Sequence, residues 1–209
     1  MNKQRLEAFS DGVYAIVITL LILNVRIPDV PRDNLGPALV RLLPEVFTYI
    51  LSFFVVALYW LSHHRMSHLV KQIDGWFVWL NMLWLLFVSV IPFPTALLAR
   101  YPLQELPIAV YGADLILANI TGFFVTLYLR NHPHLTTGGL DEGSIRRILP
   151  VYALTNGAYV AAIALGWFFP WGSYAIFAAI LVWLAIRYSV ILTPFGPPAA
   201  QKPGPRVAR

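Results

Sequence analysis

The chain has 209 residues, of which 58% are hydrophobic and only 12% charged, with a mean hydropathy of +0.67. Soluble domains carry about 25% charged residues, so half that value points to lipid as the solvent, and the length suits one helical unit rather than two domains. The absence of cysteine excludes disulfides, thiolate metal sites, iron–sulfur clusters and cysteine nucleophiles, and the net charge of +5 does not indicate nucleic acid, because the basic residues sit at the ends of apolar runs rather than in one patch.

A bilayer core about 30 Å thick needs roughly 20 mostly apolar residues per helix. Lys3 and Arg5 make a basic start, but Glu7 and Asp11 interrupt the run toward the apolar residues and no small-residue cleavage site appears. The first apolar run is therefore expected to persist as a helix rather than to be cleaved. This first span is predicted from Phe9 to Val25, closed by Arg26, Pro28, Asp29 and Pro31. The second is predicted from Leu42 to Ser62, ending at His63, His64 and Arg65. The third, Trp76 to Leu98, carries no charge, and Pro92 and Pro94 must kink it. The fourth, Leu106 to Leu129, holds Asp114. The apolar stretch from Ile148 to Ile186 is too long for one span, and Pro170-Trp171-Gly172-Ser173 divides it into a fifth and a sixth. The segment from Pro194 onward, with Lys202, Arg206 and Arg209, reads as a disordered tail. The expected organisation is a six-helix transmembrane domain over residues 1–195 and a cytoplasmic tail over 196–209. No internal repeat is visible, so an inverted-repeat transporter is not supported.

Six spans place both termini on one side. That side collects Lys3, Arg5, Arg65, Lys71, Arg130, Arg146, Arg147, Arg187, Lys202, Arg206 and Arg209, eleven basic residues against four (Arg26, Arg32, Arg41, Arg100) on the other. The positive-inside rule then predicts cytoplasmic termini in the cell membrane. Trp60, Trp76, Trp79, Trp167 and Trp171 fall near predicted span ends, where indole rings favour the interface, and anchoring alone accounts for all but Trp60.

The first helix carries an unusual polar start: Arg5, Glu7, Ser10 and Asp11. Charged groups at such depth tend to pair or to face protein and water, so Arg5 and Asp11 are expected to act as a paired scaffold. At about 100° per residue, Ile16, Leu20 and Leu23 share one narrow stripe, Gly12 and Thr19 flank it, and Asp11 lies roughly 140° away from Ile16. One side of such a helix can bind its own subunit while the other meets symmetry mates, although apolar stripes are more often plain packing surfaces.

The pattern Arg-x-x-x-Phe-Ser-Asp (Arg5, Phe9, Ser10, Asp11), continued by Gly-Val-Tyr-Ala-Ile-Val-Ile-Thr-Leu-Leu, resembles the signature of the transmembrane protein 175 family of potassium channels, found in lysosomes and prokaryotes. The likeness continues in Tyr59-Trp60-Leu61-Ser62-His63, Leu80-Asn81-Met82-Leu83 and Ile91-Pro92-Phe93-Pro94-Thr95. It is close over the first half of the chain and rests on span count and length in the second. The resemblance implies an all-α integral membrane protein that assembles as a homotetramer, with the first helix lining a central pore. The family's apolar constrictions map to Ile16, Leu20 and Leu23, and its hydroxyl layer, associated with potassium preference, to Thr19. Arg5, Phe9, Ser10 and Asp11 are implied to form a network with the second and third spans, with Trp60, His63 and Asn81 as candidate partners. Ala15 stands where relatives carry a polar residue, which implies weak to moderate selectivity. Potassium is the implied permeant ion, with no cofactor. The chain lacks the Thr-Val-Gly-Tyr-Gly filter loop and an acidic ring at the stripe, so gating by dewetting of an apolar constriction is the expectation.

His63, His64 and His68 invite a metal or proton reading, but the nearby carboxylate is only Asp74, and no metal is expected. A structural or pH-sensing role for His63 fits better. Ser173, Thr193 and Gly138-Gly139 show no nucleophile-and-base pattern, so no enzyme is expected, and His132 and His134 read as a polar loop. Asp114 supports a rival reading, a proton-coupled transporter or proton-conducting channel. Its bland alternative is a pair with Asn81 or Asn119. A structural scaffold remains a third class, but it leaves the first-helix pattern unexplained.

Overall fold

The computed structural model describes residues 2–26, 28–137 and 142–192, so the expected tail over 196–209, Thr193 and Gly138-Gly139 lie outside the described residues. The described residues form helices α1 (Lys3–Leu21), α2 (Leu35–Arg41), α3 (Leu43–Leu69), α4 (Gly75–Val90), α5 (Pro92–Arg100), α6 (Glu105–Asn131), α7 (Glu142–Gly166) and α8 (Pro170–Leu192). Six candidate spans result: α1 with its 3-10 extension, α3, α4 together with α5, α6, α7 and α8. Among the described residues the fold is all-α, apart from one isolated bridge between Val70 and Thr136.

Several helix ends differ from the sequence expectation, each for a local reason. α1 begins six residues before Phe9 because Asn2 caps it, its Oδ1 accepting the Arg5 N–H at 2.9 Å. α3 runs past Ser62 to Leu69, so His63, His64 and Arg65 lie inside the helix rather than ending it. Arg65 is accommodated there because its guanidinium donates to the Tyr188 carbonyl at 2.8 Å and lies over the Tyr188 ring. α2, a short helix between the first two spans, was not expected from the sequence. The proline break was expected: α4 stops at Val90 and α5 restarts at Pro92, whose missing N–H is harmless at a helix start. At the α7–α8 turn, a Cβ on Gly172 would stand 2.5 Å from Leu165 Cδ2 and 2.8 Å from Phe169 Cδ1, so a larger residue there requires these side chains to shift.

Asp74 joins α4 to α6. Its Oδ1 accepts the Phe77 N–H at 2.8 Å, capping α4, and its Oδ2 accepts the Tyr128 hydroxyl at 2.6 Å. Desolvation works to raise its pKa, but the bonds from Tyr128 and Phe77 outweigh it and hold the carboxyl below its ordinary value.

α1 packs on α3, α4 and α5, while α6 packs on α4, α5 and α7, and α7 on α8. In lipid, association depends on close packing rather than on the hydrophobic effect, and small residues permit it. Gly122 accordingly meets the Trp84 indole, and Gly112 meets Ile163. A polar seam of Ser52 on α3, Thr95 on α5 and Tyr111 on α6 ties the other end of the bundle, with Ser52 Oγ 2.9 Å from Thr95 Oγ1 and 3.1 Å from the Tyr111 hydroxyl.

Candidate functional site

α1 has two unlike faces. Leu6, Ser10, Tyr14, Val17 and Leu21 repeat at three- and four-residue intervals and are buried against the rest of the chain. The opposite face presents Ile16, Leu20 and Leu23, exposed by 60%, 42% and 69%. Phe9, two turns before Ile16, lies on this same outward face and is exposed. At 1.5 Å per residue the Ile16–Leu23 stripe is about 10 Å long. Thr19 stands beside it, exposed, with Oγ1 2.8 Å from the Ile16 carbonyl and 3.1 Å from that of Ala15. Its proton is therefore directed into the helix, and the outward side of the oxygen is left as an acceptor.

The buried face is held by a chain of hydrogen bonds crossing three helices. Ser10 Oγ donates to the Leu6 carbonyl at 2.9 Å, and Asn81 Nδ2 on α4 donates to Ser10 Oγ at 3.2 Å. Asn81 Oδ1 then lies 2.7 Å from His63 Nε2 on α3. Because the Asn81 amide nitrogen is committed to Ser10, its oxygen faces His63, and Nε2 must be the donor. Ser10, His63 and Asn81 are all buried, so water does not compete for these bonds. Around them the His63 ring lies 5.5 Å from Tyr14 and 5.2 Å from Trp84.

A second link lies nearer the surface. Trp60 Nε1 donates to Asp11 Oδ1 at 2.9 Å, and the Trp60 indole stacks on His64 at 5.3 Å. His64 and His68 face each other with their Nε2 atoms 3.0 Å apart. The three histidines do not converge, because His63 lies on the buried face of α3 and the other two on its exposed face.

The structure thus joins Ser10, Asn81 and His63 in one chain of hydrogen bonds and Asp11 to Trp60 in another. Arg5 and Phe9 stand outside the network: both are exposed and belong to the same outward side of α1 as the apolar stripe. The expected Arg5–Asp11 pair does not form. Asp11 is taken by Trp60, and the ion pair found on α1 is Lys3–Glu7 at 3.4 Å. Asp114 likewise does not pair with Asn81, whose groups are committed to Ser10 and His63. Nor does it bond Asn119: Asp114 Oδ2 and Asn119 Nδ2 are each buried without a partner among the described residues. Sequence reasoning missed Tyr14 and Trp84 as walls of the His63 site. Tyr14 was detectable, since it falls one helical turn after Ser10 on the same face; Trp84, three residues after Asn81, gives the same signal on α4.

A model of the endosomal/lysosomal potassium channel TMEM175 matches residues 5–92, which contain most of α1, all of α3 and α4, and this network. The potassium channel Cha6605_3372 of Chamaesiphon minutus is 32% identical over 189 residues, spanning 88% of this chain and 93% of its own. The endosomal/lysosomal proton channel TMEM175 of Mus musculus is 34% identical over 185 residues, 79% of this chain and 37% of the mouse protein. The crystal structure of a lysosomal potassium-selective channel TMEM175 homolog from Chamaesiphon minutus superposes with a TM-score of 0.77 at 30% identity, covering 89% of this chain and 97% of that one. With six apolar helices and these relatives, the chain is a multi-pass membrane protein and belongs to the TMEM175 family.

Proposed function

We propose that the chain assembles as a homotetrameric cation channel, conducting potassium in preference to sodium, with four copies of α1 around a central pore. The observation that carries this reading is the division of α1: one face is bonded into its own subunit through Ser10, Asn81 and His63, and the other leaves Ile16, Leu20 and Leu23 uncovered. In a tetramer these three residues form apolar collars that dewet when narrow and conduct when α1 splays or rotates. Thr19 supplies an oxygen at the same depth whose proton is already committed to the helix, so it accepts a cation and offers nothing to an anion. The weak to moderate preference is consistent with the absence of a carbonyl filter and with Ala15, which adds no second polar layer. The potassium channels among its relatives support the choice of ion. The basic residues gathered on the terminus side support cytoplasmic termini in a cell membrane. The permeant ion is the only small-molecule partner this reading needs; it invokes no catalysis, metal or cofactor.

The test is ion flux through the purified protein in liposomes, with potassium and then sodium as the sole gradient. Potassium flux should exceed sodium flux, and Ile16→Asn should raise both while narrowing their ratio. Unchanged conductance in Ile16→Asn would refute the pore assignment.

A second reading, proton conduction or proton-coupled transport, is favoured by one observation: Asp114 is buried at 7% exposure with Oδ2 unpartnered among the described residues. The mouse relative's name as a proton channel points the same way. Against it, α6 lies behind the helices on which α1 packs, so Asp114 is remote from the α1 stripe. Flux that requires a proton gradient and is lost in Asp114→Asn would favour this reading over the first.

A further inference from the structure

A cavity of about 720 Å³ opens between α3, α6, α7 and α8, with no wall from α1. Its volume is within the roughly 300–1,000 Å³ typical of ligand sites. It exists because α3 is tied to α6 only toward one end. Ser52 and Tyr59 on α3 bond Tyr111 and the Leu115 carbonyl on α6, and beyond Tyr59 the tie passes to α8 through Arg65 and Tyr188. Between these ties the walls are mostly apolar, with Trp84 at one side.

The charged residues of the cavity are not spread evenly. Arg65, Arg147 and Arg187 line it at the end nearest the chain termini. Arg65 and Arg187 donate to the carbonyls of Tyr188 and Arg147, at 2.8 and 3.2 Å. Neither has a carboxylate partner among the described residues, and the Arg65 Nε is buried without an acceptor. From Arg147 to Tyr159 along α7 the cavity reaches about 18 Å, close to the roughly 15 Å thickness of one leaflet's hydrocarbon. A cavity that is cationic at the membrane surface and, over one leaflet's depth, mostly apolar with Ser62, Asn119, Thr126 and Thr155 interspersed has the reach and charge of an anionic amphiphile of the bilayer. Guanidinium groups grip phosphate oxygens with charge-assisted, often paired bonds.

We propose that this cavity holds one acyl chain of an anionic membrane phospholipid, whose phosphate is bound by Arg65 and Arg187 at the terminus-side surface. The lipid would hold α3 apart from α7 and so load the helix that carries Trp60 and His63, without touching α1 directly. The assignment does not depend on which ion permeates.

Native mass spectrometry of the purified protein with equimolar phosphatidylglycerol and phosphatidylcholine tests it. Phosphatidylglycerol should be retained about tenfold over phosphatidylcholine, as expected for charge-assisted contacts at the headgroup. Arg187→Gln and Arg65→Gln should bring the two lipids toward parity. Ser62→Phe, which fills the cavity and leaves the arginines in place, should remove both lipids while circular dichroism shows the helices intact. Equal retention of the two lipids by the unaltered protein would overturn the proposal. So would phosphatidylglycerol binding that survives Ser62→Phe, or the absence of any retained lipid, which would leave the cavity to a protein segment.

Discussion

Asn81→Leu removes the centre of the buried network while keeping the branching and heavy-atom count of the side chain. Asn81 is 1% exposed and makes two interhelical bonds, at 3.2 Å to Ser10 and 2.7 Å to His63. Interhelical hydrogen bonds in membranes average about 0.6 kcal/mol, so the two bonds together contribute about 1 kcal/mol. His63 Nε2–H is then left in a dry site between Tyr14 and Trp84, and an orphaned buried donor costs about 1–3 kcal/mol. Ser10 contributes little to the loss, because its own proton still reaches the Leu6 carbonyl. The expected destabilisation is therefore about 2–4 kcal/mol, measured as the shift in unfolding free energy of the purified protein in mixed micelles. Ser10→Ala should cost less, and the double variant should fall short of the sum, since the two share one bond. An Asn81→Leu protein within about 0.5 kcal/mol of the original would refute the reasoning. It would mean that water or a rearranged His63 already satisfies these groups.

The geometry sets four further outcomes. Trp60→Phe keeps the ring on His64 but removes the donor to Asp11; since that bond is partly solvated, micelle unfolding should register a loss of only about 0.5–1 kcal/mol. Gly112→Ala places a Cβ 2.7 Å from Ile163 Cγ1 and should cost about 1–3 kcal/mol by overpacking, read as a lowered melting temperature. Gly12 on α1 has open space within 4 Å in the single chain, so Gly12→Ala should leave subunit unfolding unharmed; under the proposed assembly its effect appears in tetramer yield by light scattering. The Asp74 cap has a pH signature. Its folded pKa lies below the ordinary 3.8, so its stabilisation is complete above that pH, shrinks as pH falls from 3.8, and vanishes below the folded-state value. Asp74→Asn should flatten that acid limb in a pH series of melting curves.

The span count, the proline break before α5, the tight α7–α8 turn and the two-faced character of α1 were legible in the sequence. Each is a local property: apolar length, a missing N–H at Pro92, the Pro170 and Gly172 punctuation, and the 3.6-residue period that separates Ile16, Leu20 and Leu23 from Ser10 and Tyr14. The resemblance also grouped Arg5, Phe9, Ser10, Asp11, Trp60, His63 and Asn81 in one network, from which Arg5 and Phe9 stand apart. It did not tell who bonds whom. A polar residue's partner depends on how far neighbouring helices are rotated and how closely they approach, and one residue of rotation turns a side chain by about 100°. Packing of α1, α3 and α4 decided that Asp11 meets Trp60 instead of Arg5, that Asn81 serves His63 instead of Asp114, and that α3 continues through His63 to Leu69. It also decided where helices part, which is how α3, α6, α7 and α8 come to enclose a cavity lined by Arg65 and Arg187.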